Sequence, residues 1–66
     1  MKTYTVTTTR RTTGETVKEE TSSVWLRAYL EFEAQAQEAK AEIPSVEYGE
    51  EAEANGRDYA VTLVRE

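Results

Sequence analysis

The only abundant side chains here with a capacity for chemistry are carboxylates. Thirteen acids, of which Asp58 alone is an aspartate, stand against eight bases, and the 66 residues include no histidine and no cysteine. Imidazole titrates near neutrality, and thiolates bind soft metals or attack carbonyls, so most small catalytic and metal sites draw on one or the other. Glycosidase-type work needs two carboxyls held about 5–10 Å apart across a sugar-sized cleft, and a chain this short has little room for one. Calcium loops place Asp or Asn at alternate positions around a central glycine, a pattern that Glu47-Tyr48-Gly49-Glu50-Glu51 does not follow. The inventory implies no catalytic residue, no metal ligand and no cofactor. It points away from an enzyme and towards a binding or structural domain.

The spacing of the acids is more informative than their number. Eight glutamates lie between Glu31 and Glu53 against Lys40 alone, a segment charge of −7, while the rest of the chain sums to +2 and the whole to −5. On a helix, Glu31, Glu38 and Glu42 share one ridge with steps of roughly 10 and 6 Å at about 1.5 Å per residue. That is comparable to successive phosphates along a nucleic-acid strand, although a solvated helix face produces the same period. Glu47, Glu50, Glu51 and Glu53 extend the charge beyond the helix. Leu26 and Leu30 sit beside the apolar stripe, so either the chain after Pro44 folds over them or they form an exposed patch suited to a partner or a homodimer seam. These nine residues are the candidate partner-binding set, and the partner they imply is a protein with a basic surface.

Direct nucleic-acid binding is disfavoured, because a binder displaces counterions with basic residues and this chain offers chiefly Lys2, Arg10 and Arg11. Trp25, Tyr29 and Phe32 have the spacing of a helix core face rather than of a base-stacking platform.

The elements that must position these residues read in order. From Lys2 to Thr9, Tyr4, Val6 and Thr8 alternate with threonines, a strand pattern. Residues 10–14 read as a hairpin loop with Gly14 able to take positive φ at its exit. A polar second strand spans about Glu15 to Thr21, with Val17 its only strong apolar residue and with charges that suit an edge. Ser22 and Ser23 are N-cap candidates for a helix from Val24 to Glu42. One face of it carries Trp25, Ala28, Tyr29, Phe32, Ala36, Ala39 and Ile43, and Glu31, Gln35, Glu38 and Glu42 form the polar ridge. Pro44 stops the helix.

A third strand begins over Ser45 to Tyr48, with Val46 and Tyr48 on one side, and Gly49 interrupts it with a bulge or short loop. Asn55-Gly56 predicts a type I′ turn. Arg57 to Arg65 is apolar on both faces and belongs mid-sheet. The fold class is α+β, a four-stranded ββαββ sheet with one helix packed across one face. The expected core is Tyr4, Val6, Val17, Trp25, Tyr29, Phe32, Ile43, Val46, Tyr59, Val61 and Leu63.

Length allows one domain over residues 1–66. No apolar run approaches a membrane span and no signal-peptide h-region opens the chain, so the expectation is a cytoplasmic protein without membrane contact. The absence of cysteine fits a reducing compartment.

The order hairpin, helix, hairpin resembles the β-grasp-like architecture of the immunoglobulin-binding domains of streptococcal protein G. That resemblance implies central, parallel terminal strands; an antiparallel ββαββ sheet of different strand order is the alternative. In size, acidity and lack of catalytic residues the chain also resembles phage-encoded inhibitors, anti-CRISPR proteins among them. This second resemblance implies occlusion of a basic nucleic-acid-binding surface in a host cytoplasm, with glutamates mimicking phosphates. A designed or structural scaffold of ββαββ type with no natural partner is the alternative function.

Overall fold

Tyr4, Val6 and Thr8 alternating with outward threonines build the first strand of the computed structural model, which describes residues 2–66. This strand, β1 (Tyr4–Arg10), turns through Gly14, whose φ is +75° and whose N–H donates to the Arg10 carbonyl at 2.8 Å, into β2 (Thr16–Ser22). Helix α1 (Trp25–Glu38) follows, then a connection over residues 39–51, then β3 (Ala52–Asn55) and β4 (Tyr59–Arg65). The strands form one sheet in the order β2-β1-β4-β3 with every neighbouring pair antiparallel, and α1 packs on one face. The fold is α+β with ββαββ element order.

The central strands are β1 and β4, but they run antiparallel, not parallel as the protein G likeness implies. The cause lies in the connection. Residues 45–48 form no strand. The end of α1 lies beside the β3–β4 turn, and by Tyr48 the chain has returned to Trp25 at the start of α1. It therefore runs back along the helix before β3 begins. That extra traverse reverses both β3 and β4.

The helix is shorter than its apolar period suggests because Lys40 adopts φ +55°. The Lys40 N–H reaches the Gln37 carbonyl at 3.1 Å and the Ala41 N–H reaches the Ala36 carbonyl at 2.9 Å, the two bonds of a Schellman ending. Lys40, not Pro44, stops α1. At the other end Val24 is the N-cap with no side-chain cap, and the Ser22 hydroxyl instead accepts the Val24 N–H at 3.0 Å. Asn55-Gly56 forms no type I′ turn, since neither residue has positive φ. Gly56 is required for another reason: a Cβ there would stand 2.5 Å from the Ala39 carbonyl oxygen.

Between helix and sheet, Val6, Phe32, Val61 and Leu63 are fully buried, joined by Tyr4, Trp25 and Ala54 and by the small helix residues Ala28, Ala36 and Ala39. Tyr29, Ile43, Val46 and Tyr59 are half-buried against that core. Val17 is not part of it. The β1–β2 register shifts between Thr8 and Thr9, and Val17 falls in the irregularity, half exposed. The β2 residues paired with the helix-facing positions Thr8, Val6 and Tyr4 are Lys18, Glu20 and Ser22. With so little apolar material from β2, the helix must seal that side by polar means.

Candidate partner-binding surface

That seal removes one candidate glutamate from the free surface. Gln35, expected on a solvated ridge, is 2% exposed. Its amide oxygen accepts the Thr8 hydroxyl and its Nε2 donates to Glu31 Oε1 at 3.0 Å. Glu31 is half-buried, and the same oxygen lies 3.4 Å from Lys18 Nζ. The chain Thr8–Gln35–Glu31–Lys18 thus ties β1, α1 and β2 together, and Glu31 holds structure. Glu38 is exposed on the same flank, beside a groove bordered by Val17, Lys18 and Tyr59.

Glu42 does not continue this ridge. The left-handed turn at Lys40 carries it to the far side of the molecule, where it faces Glu53 and Asn55 across an open trough. The expected line of Glu31, Glu38 and Glu42 is therefore split between two flanks.

The connection gathers the remaining acids. Glu47 and Glu50 bracket a turn in which the Glu50 N–H donates to the Glu47 carbonyl at 3.1 Å and Gly49 takes φ +82°. The glycine interruption is thus a short turn. Glu51 Oε2 accepts the Arg65 N–H at 3.0 Å, and Glu53 Oε1 accepts Asn55 Nδ2 at 3.1 Å. Glu53 pairs with Thr62 in β4 and so points to the sheet face opposite the helix. Glu42, Glu47, Glu50, Glu51 and Glu53 are all exposed, and together with Lys40 and Arg65 they form an acidic edge along β3.

The leucines stay open. Leu26 and Leu30 are 55% and 64% exposed, so the connection covers neither. Its apolar residues Ile43 and Val46 pack on the core instead.

Two features escaped the sequence reading. Tyr48, expected on the same side as Val46, is 75% exposed. Turn composition, a glycine just after it between acids, was the available signal. The topology also brings Arg10 and Arg11 to the β3–β4 turn, which carries Arg57. The Arg11 N–H donates to the Asp58 backbone carbonyl at 2.9 Å and its Nη1 to the Gly56 carbonyl at 2.7 Å, while the Arg10 guanidinium lies 5.6 Å from the Tyr59 ring centre. Arg11 is therefore a tie between the two hairpins rather than only a solvated tip.

Among the described residues no group of acids is placed to hold a metal ion, and no helix is long and apolar enough to cross a membrane. No protein-family model, curated protein or solved structure matches the chain.

Proposed function

We propose that the protein is a non-catalytic binding module whose acidic edge, Glu42, Glu47, Glu50, Glu51 and Glu53, docks on a basic surface of a partner protein, with Leu26 and Leu30 as apolar contacts. The observation that supports this best is the two-sidedness of the connection. Its Ile43 and Val46 pack inward while its glutamates face solvent beside Glu53 of β3. Exposed like charges of this kind repel one another, steer a basic partner and raise its encounter rate. A target that ordinarily holds nucleic acid supplies such a basic surface, so the reading extends to an inhibitor of the phage-encoded kind. It would act in a host cytoplasm by occupying the site, with no reaction of its own.

The test is affinity capture of basic proteins at low and high salt, with elution by duplex DNA. Screening lengths are about 8–10 Å at physiological salt, so capture should fall steeply as salt rises. The triple variant Glu42→Lys, Glu47→Lys, Glu53→Lys should lose capture and keep its fold. A control reversing Glu15 and Glu19 on the opposite side should lose far less. Equal capture by both variants would overturn the proposal.

A further inference from the structure

Among the described residues Tyr48 is the most exposed of the large apolar side chains, yet its ring and its turn are held in place. Its ring centre lies 5.0 Å from that of Trp25 at 54°, and Trp25 is stacked on Tyr29 at 5.0 Å behind it. The turn that carries Tyr48 is fixed at three further points. Trp25 Nε1 donates to the Glu50 carbonyl at 3.0 Å, Arg65 Nη1 donates to the Gly49 carbonyl at 3.3 Å, and the turn closes on its own Glu47–Glu50 bond. A side chain already held in one geometry loses little rotamer freedom when a partner covers it, which is the property of an interface anchor.

The chemistry around the ring selects what covers it. Glu47 and Glu50 are exposed on either side, Glu51 follows, and the Arg65 guanidinium, which reaches the turn, is engaged with the Gly49 carbonyl. An aromatic face beside unpaired carboxylates favours a cation over the ring. Guanidinium is preferred to ammonium because it is planar, less strongly hydrated and able to grip a carboxylate with two parallel N–H groups while stacked. The molecule already makes such a contact internally, in Arg10 over Tyr59 at 5.6 Å.

We infer that Tyr48 is the anchor of the acidic edge and that it receives an arginine side chain of the partner, stacked on its open face and paired with Glu47 or Glu50. This rests on the acidic edge being the docking surface and specifies the side chain that it reads.

The experiment titrates the full chain, followed by amide and indole N–H NMR shifts, with an arginine–glycine repeat peptide and a lysine–glycine peptide of equal length and charge. The arginine peptide should move Tyr48, Gly49 and the Trp25 indole signal and bind more tightly than the lysine peptide by up to about threefold, the whole worth of an exposed cation–π contact. Tyr48→Ala should abolish that preference, and Tyr48→Phe, which keeps the ring, should retain it. Replacing both Glu47 and Glu50 by glutamine should weaken both peptides. If the two peptides move residues 42–53 equally, and Tyr48→Ala changes nothing, the arginine anchor is overturned while the acidic edge stands. If neither peptide moves residues 42–53, both fall.

Discussion

The two flanks of α1 are closed by opposite means. Towards β2 the seal is polar: Gln35 and Glu31 reach from the helix to Thr8 and Lys18, and every buried side-chain polar atom among the described residues has a partner. Towards the connection the seal is aromatic, with Tyr29 stacked on Trp25, Tyr48 tilted against the same indole, and Ile43 and Val46 packed on the core. The polar flank satisfies its buried groups internally and leaves Glu38 in solvent beside the groove at Val17. The aromatic flank leaves Leu26, Leu30 and Tyr48 in solvent beside unpaired carboxylates. The asymmetry follows from the strands themselves, since an edge strand that presents Lys18, Glu20 and Ser22 to the helix can be covered only by hydrogen bonds.

The comparison breaks most decisively at Trp25. Trp25→Ala removes the middle of the aromatic series and the bond to Glu50, and truncating a buried aromatic of this size costs about 3–5 kcal/mol. Small domains have few kcal/mol in total, so circular dichroism should show no cooperative melt at or above room temperature. On the polar flank the expected loss is smaller. Gln35→Ala strands the Thr8 hydroxyl and frees Glu31, at about 1–3 kcal/mol. The pair Gln35→Leu with Thr8→Val replaces both buried partners and should recover most of that loss, read as the urea midpoint. A double variant no more stable than Gln35→Ala would show that the relay to Lys18 matters more than its buried half. The smallest effect belongs to the open leucines. Leu30→Gln should change stability by no more than about 0.5 kcal/mol, and a larger loss would mean that Leu30 is covered after all.

Elements with strong periodicity were legible in the sequence. The alternation around Val6 and around Val61 and Leu63 specified two strands and their inward faces, and the spacing from Trp25 to Ala39 specified the helix face. What failed was punctuation by residues that carry no signal for it. Nothing about lysine announces a left-handed helix ending, so the apolar period runs on past Lys40 to Glu42. That one error placed three glutamates on a ridge that the fold divides. Val46 and Tyr48 alternate as a strand would, yet the strand forms at Ala52 and Ala54, whose side chains are small enough to lie under the edge of the core. Gln35 is polar by type, and only the lack of apolar inward residues in β2 explains why it is buried. Of the candidate surface, the sequence carries the patch at Leu26 and Leu30 and the identity of the edge glutamates, but not how the connection arranges them.

The reversal of β4 also bears on how the molecule carries force. Thr3 and Glu66 exchange backbone hydrogen bonds across the β1–β4 seam, at 2.9 and 3.4 Å, so the two outer ends of the central strands leave from one side. Tension applied through these residues loads the first rung of the ladder alone, then the next, as a zipper opens. Parallel central strands would put every rung under shear together. One loop that runs the length of a helix therefore gives a sheet that peels under low load from this direction, while its resistance to heat and denaturant is set by the core.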